Sequence, residues 1–232
     1  MGIRKIAAQA ALLQFLFLAV MMGAYSYVMN GTGMTMDDWY NPTKTAQFTL
    51  DHKSTFTLLW GLDWFFAITV FVLAAAFTQK FSRQQPWLGI VIGGFGVISS
   101  GLFLTAGTIG IYGVKLAVAD YASGAGLGFM KSMTLMQSTV EMSAVAAIGV
   151  VTFATALAST RTKGFAAWVN WLGFISGFFA VASFALSVIS PSLQFLGMIG
   201  MTTSILFNLG VALEFMRKPQ PELHFPAQMQ KL

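Results

Sequence analysis

Two carboxylates stand inside apolar runs of this sequence, and any chemistry it performs begins with them. Asp63 lies about ten residues into the run Ser54–Phe77, and Glu141 about ten residues into Ser132–Ala158. At 1.5 Å per residue each acid sits roughly 15 Å inside its run. If the runs cross a membrane, an ionisable group at that depth is costly and points to function. On the second run Lys131, Thr134, Ser138 and Glu141 follow helical spacing, so they form one stripe descending to the carboxylate, and Gln137 widens it. Lys53, Phe56, Trp60 and Asp63 repeat that spacing, with His52 at the mouth and Thr57 beside the stripe. Facing one another, the two stripes enclose a polar pocket with an aromatic wall, open to the outside. Two carboxyls in a low-dielectric site do not easily ionise together, so one holds a proton unless a cation lies between them. The expected site is a ligand, proton or cation site made by Asp63 and Glu141 and shaped by Trp60, Thr134, Gln137 and Ser138. The competing reading makes both acids neutral, hydrogen-bonded interhelical glue.

Other residue types narrow the chemistry. The chain has no cysteine, which removes disulfides, thiolate metal sites and cysteine nucleophiles. Its two histidines, His52 and His224, fall on opposite sides of the expected topology, which excludes a bis-histidine haem, and a three-histidine zinc site lacks its third ligand. His52 with Asp37, Asp38 and Asp51 reads as a solvated loop, because no ligand spacing recurs. Met130, Met133, Met136 and Met142 read as packing, since no His or Cys joins them within the span. The glycine-rich stretches precede no phosphate-binding Lys-Ser/Thr, and no intramembrane histidine serves a Ser nucleophile. Asn170 falls near the inner interface, Asn208 and Glu214 in the inner third of the last span, with Glu214 paired to Arg217 or Lys218. No cofactor is expected, and a non-enzymatic role is favoured.

The elements that position these residues follow from composition. Of 232 residues, 56% are hydrophobic and 9% charged, with 22 Phe and 23 Gly, too apolar for an ordinary soluble domain. The expected fold is an all-α integral membrane bundle of six spans, at about 6–28, 54–77, 87–112, 132–158, 167–189 and 193–215. They form one domain, 1–218, followed by a polar tail, 219–232. Arg4 and Lys5 precede a first run longer than a signal-peptide core, which reads as a retained span. Asn30–Lys53 reads as an ordered loop on the bundle with Trp39 and Tyr40 at headgroup level, and Gly113–Lys131 as a connection lying in the interface. Lys and Arg divide nine to four between the two sides, which places both termini in the cytoplasm. The formal charge of +5 follows this topology, so nucleic acid is not an expected partner; the bilayer is, and a membrane protein or a second copy would be a further one.

Span three opens Trp87-Leu88-Gly89-Ile90-Val91-Ile92-Gly93-Gly94-Phe95-Gly96-Val97, and span five contains Trp171-Leu172-Gly173-Phe174-Ile175-Ser176-Gly177-Phe178-Phe179-Ala180-Val181. Each copy follows a basic loop, and each loop follows a span with a mid-depth acid. The repeat unit is therefore a hairpin, spans 2–3 and spans 4–5, related by an axis along the membrane normal. Interfacial Trp and packing Gly can produce the same likeness without duplication. The pattern resembles that of small bacterial multi-pass inner-membrane families of unknown function, a resemblance that implies a bacterial inner membrane and carries no mechanism. The leading functional expectation is a transporter-like or sensing protein using Asp63 and Glu141. The alternatives are an accessory structural subunit of a larger membrane complex and, below it, a membrane enzyme with a carboxylate-held metal.

Overall fold

In a bilayer no water competes for backbone hydrogen bonds, so glycine-rich apolar runs stay helical and the polar turns set the ends. The computed structural model describes residues 3–33, 38, 41–187, 189 and 195–217, and these form seven helices and no strand. They are α1 (Ile3–Thr32), α2 (Pro42–Asp51), α3 (Lys53–Phe81), α4 (Pro86–Ala122), α5 (Gly128–Thr162), α6 (Ala167–Ser187) and α7 (Phe195–Met216). All but α2 are long and apolar enough to cross a membrane, which is the six-span bundle expected. Asp37, Trp39, Tyr40, the Ser190-Pro191-Ser192 turn, Lys218 and the tail with His224 lie outside the described residues.

Two connections differ from the sequence expectation. The Asn30–Lys53 segment contains a helix, α2, begun by Asn41, whose Oδ1 accepts from the backbone N–H of Thr43 at 3.0 Å and of Lys44 at 3.2 Å, with Pro42 in the first turn. Lys44 pairs with Asp38 at its start, and Ala46, Phe48 and Thr49 are buried beneath it. Asn41→Ala is expected to cost about 1 kcal/mol of local stability. Hydrogen exchange should show it as faster exchange confined to α2.

The second difference is Gly113–Lys131, most of which belongs to two long helices, α4 as far as Ala122 and α5 from Gly128. α4 runs unbroken for 37 residues, about 55 Å against the roughly 30 Å of a hydrocarbon core. The turn into α5 uses left-handed backbone at Gly124 (φ 91°) and Gly126 (φ 77°). Apolar packing carries both helices this far: Val114 and Ala117 of α4 and Met130 of α5 are buried with Phe48, Phe56 and Trp60. The result is a small apolar cap at the α2 end of the bundle.

The six spans close into a ring in chain order. α3 packs on α4, α4 on α5, α5 on α6, α6 on α7, α7 back on α1, and α1 on α3. Small residues set the spacing, because lipid gives no hydrophobic drive for helices to associate. A Cβ built on Gly96 would collide with the Ala74 Cβ, and one on Gly149 would lie 2.8 Å from the Ala180 Cβ. Buried hydroxyls add bonds between helices: Ser99 Oγ donates to the Ala144 carbonyl at 2.9 Å, and Ser176 Oγ to the Gly200 carbonyl at 3.1 Å.

The two copies of the glycine pattern pack alike. Gly89 and Gly96 face Ser82 and Ala74 on the preceding helix of their hairpin, and Gly173 and Ala180 face Ala156 and Gly149 on theirs. At the second contact the methyl has changed sides, glycine facing alanine in one hairpin and alanine facing glycine in the other. The two matches differ by one residue in offset, Ser82 to Ala156 by 74 and Ala74 to Gly149 by 75, so Asp63 aligns with Gln137 or Ser138. Glu141 falls one turn further along, so the acids are not equivalent positions of the repeat.

Candidate carboxylate site

Asp63 faces the inside of the ring because Phe56, Trp60, Asp63, Phe66, Ala67 and Val70 all lie on the buried side of α3. It is 1% exposed. Its level is set by α4, where a Cβ on Gly107 would meet the Trp60 carbonyl oxygen at 2.7 Å and one on Gly110 the Trp60 ring at 2.5 Å. Glu141 is placed by the same helix: Met133 packs on Gly113, and Ala144 accepts from Ser99. With α4 as a common ruler the two acids lie within about one turn of each other in depth. α3 and α5 touch directly.

The two carboxyls differ in what holds them. Glu141 Oε2 accepts from Gln137 Nε2 at 2.8 Å, one turn back on α5, and Gln137 is buried. Asp63 Oδ2 is buried with no hydrogen-bond partner. Gln137→Leu should therefore leave the Glu141 carboxyl without its donor, at a cost of about 1–3 kcal/mol. A denaturation midpoint in detergent measures it, and no loss of stability would mean that the Gln137–Glu141 bond contributes nothing.

The six residues expected from the sequence separate into two groups. Asp63, Trp60 and Gln137 are buried on the inward faces of their helices, and Glu141, one turn on from Gln137, is half-buried. Thr134 is half-buried and spends its hydroxyl on the Met130 carbonyl at 3.0 Å and the Lys131 carbonyl at 3.1 Å. Ser138 is exposed and turns back to the Leu135 carbonyl at 3.4 Å. The reason is register: the buried line of α5 runs Met130, Gln137, Ala144, Val151 at a seven-residue repeat, which leaves Ser138 a full helical step outside it.

On the α2 side of Asp63 the structure holds rings where the sequence suggested an opening. Phe48 of α2 packs on Phe56 at 5.7 Å between ring centroids, and Phe56 packs on Trp60 at 5.3 Å. All three are buried, so the aromatic residues form a packed cluster at this end of α3 instead of lining an open mouth. His52, expected at that mouth, lies 4.7 Å from the Phe48 ring, centroid to centroid.

The sequence reading did not single out a second polar group, at the centre of the ring. Gln14 of α1, Thr152 of α5, and Ser204 and Asn208 of α7 line a small pocket of about 10 Å³, together with apolar residues that include Val70, Phe77 and Phe207. That is room for one water molecule. Gln14 is 2% exposed and its Nε2 has no hydrogen-bond partner. The available signal was an amide, Gln14, in the middle of an apolar first span.

Of the weaker candidates, Glu214 binds Arg217 Nη1 at 2.9 Å, the ion pair expected, and also accepts from the Ala166 N–H at 3.4 Å. Asn170 is buried at the start of α6, donating from Nδ2 to the Phe165 carbonyl at 3.4 Å. Met130 packs in the apolar cap. No protein family, curated protein or solved structure matches the chain, so the likeness to bacterial inner-membrane families gains no named relative and the site stands on its own geometry.

Proposed function

We propose that the protein is a transporter-like or ion-sensing membrane protein in which Asp63 and Glu141 share an occluded proton or monovalent-cation site. Gln137 holds the Glu141 carboxyl, and Trp60 with Phe56 and Phe48 closes the site from the α2 end. The observation that carries this reading is Asp63 Oδ2, fully buried with no hydrogen-bond partner, on a helix that packs against the one bearing Glu141. An acid kept as interhelical glue would spend its oxygens on donors, and an orphaned buried carboxyl oxygen costs about 1–3 kcal/mol or more. A proton or cation shared with Glu141 offsets that cost. The acids also stand on different hairpins, so rocking one hairpin against the other would change the gap between them. The charge bias places the end carrying Arg4, Lys80, Arg161 and Arg217 in the cytoplasm, so the aromatic cover faces outward.

The test uses the purified chain in detergent at constant ionic strength. Thermal midpoints are recorded over a pH series and with sodium, lithium and potassium chloride, alongside the infrared carboxylic C=O band. A proton or ion that selectively raises the midpoint, together with a carboxylic band that Asp63→Asn removes, supports the site. A midpoint indifferent to every cation, with no carboxylic band titrating, sinks it.

A further inference from the structure

A second cluster of charged groups lies at the opposite end of the ring from α2, where α1, α3 and α7 meet, and the acid pair makes no use of it. Arg4 opens α1, Lys80 stands in the last turn of α3, and Arg217 follows α7. Arg4 Nη2 donates to the Arg217 carbonyl at 2.9 Å, which joins the first and last spans. The Lys80 ammonium rests over three rings, 5.7 Å from the centroid of Phe81, 5.1 Å from Phe165 and 5.6 Å from Phe215. Those rings are buried, and they pack edge to face about Phe165. They offer the ammonium a π face and no hydrogen-bond acceptor.

Charge in this cluster does not balance. Arg4 and Glu214 both act electrostatically on Lys80, so the two cations are within range of each other and of a single acid. That acid is already engaged, by Arg217 at 2.9 Å and by the Ala166 N–H at 3.4 Å. Three cations against one carboxylate leave two positive charges uncompensated. Lys5, Arg83, Arg161 and Lys163 stand at the same end, and Glu214 is the sole acid there among the described residues. The Arg4 guanidinium keeps N–H groups beyond the one it spends on Arg217, and a guanidinium fork beside an ammonium suits two oxygens of one phosphate. Because these are the ends of membrane spans, the phosphate present at highest local concentration is that of a lipid.

We propose that Arg4, Lys80 and Arg217 form a binding site for the phosphate of an anionic phospholipid headgroup, seated above the Phe81, Phe165 and Phe215 rings. The site binds α1, α3 and α7 to one another through the lipid and so fastens the closure of the ring. It is independent of the carboxylate site, which lies nearer the other end.

The experiment follows the thermal midpoint of the intact protein in neutral detergent by tryptophan fluorescence, with phosphatidylglycerol, phosphatidylcholine or inorganic phosphate added. Phosphatidylglycerol is expected to raise the midpoint and the other two to leave it unchanged. Arg4→Gln and Lys80→Gln should each remove at least about half of the rise, while Lys115→Gln at the far end keeps all of it. Glu214→Gln retains the acceptor for Ala166 and removes the competing charge, so phosphatidylglycerol should bind it about threefold more tightly or better. That gain also separates a binding site from a merely structural cluster, and with Arg4→Gln it carries the test if Lys80→Gln does not fold. A rise that persists in the Arg4→Gln, Lys80→Gln double variant, or one that phosphatidylcholine matches, overturns the site. A full rise from inorganic phosphate alone overturns the lipid assignment in favour of a soluble anion.

Discussion

Asp63→Asn is expected to abolish proton- or cation-dependent behaviour altogether while the protein folds with a midpoint within about 1 kcal/mol of the parent. Asparagine keeps the volume of the side chain and removes the group that binds. Because Asp63 Oδ2 makes no hydrogen bond, the substitution breaks no contact at that oxygen. Glu141→Gln should remove the same behaviour at a greater structural cost, since the Gln137 amide donates to Glu141 Oε2 and a glutamine there presents either an oxygen or a second donor. The asymmetry is the useful part of the prediction. Equal loss of ion response with unequal loss of stability indicates a shared site, whereas stability losses alone in both variants would indicate glue. Ion-dependent midpoints, the infrared carboxylic band and ion uptake into liposomes driven by an imposed gradient read the two effects separately.

The largest effect on folding is expected at the contact between Gly149 and Gly177. A Cβ on Gly177 would lie 2.6 Å from the Gly149 carbonyl oxygen and 2.8 Å from the backbone nitrogen of Phe153, and one on Gly149 would lie 3.0 Å from the Gly177 carbonyl oxygen. Each backbone thus lies against the other, with no flexible side-chain end to move aside. Gly177→Ala should cost about 1–3 kcal/mol by overpacking, and Gly177→Leu should prevent the α5–α6 hairpin from closing. Gly94 and Gly101 have open space at the Cβ position. Alanine at either should be neutral or stabilising by up to about 1 kcal/mol, from its better helix propensity. Denaturation midpoints in one detergent compare all four variants. If Gly177→Ala proves as stable as Gly94→Ala, the close approach of α5 and α6 is not what holds that hairpin.

The sequence made the Gly177 contact half visible. Trp171-Leu172-Gly173 and Gly177 marked a small face, and its likeness to Trp87-Leu88-Gly89 and Gly93 suggested hairpins. Which helix that face meets depends on positions such as Gly149 and Ala74, which carry no motif of their own. The acids were legible for a similar reason, since a carboxylate in an apolar run stands out at any register. Their partners were less so. Helical spacing placed Ser138 and Glu141 on one stripe, yet a helix surface offers several such stripes and α4 selects the one through Gln137.

Six spans, their limits to within a few residues in most cases, and the helices that carry Asp63 and Glu141 were determined by the sequence alone, because hydropathy and charge act on each residue through the solvent it must occupy. Tertiary structure decided the rest. It made α4 and α5 longer than a hydrocarbon core requires, because Val114, Ala117 and Met130 bury themselves with Phe48, Phe56 and Trp60. It turned part of a polar connection into α2 and set Phe48 on Phe56. It closed the ring by packing α7 on α1, which gathered Gln14 with Asn208 and Arg4 with Arg217 across nearly the whole chain. These outcomes depend on which apolar faces meet, and within a span that is apolar on every side the local pattern does not distinguish the face that meets lipid from the face that meets a neighbouring helix.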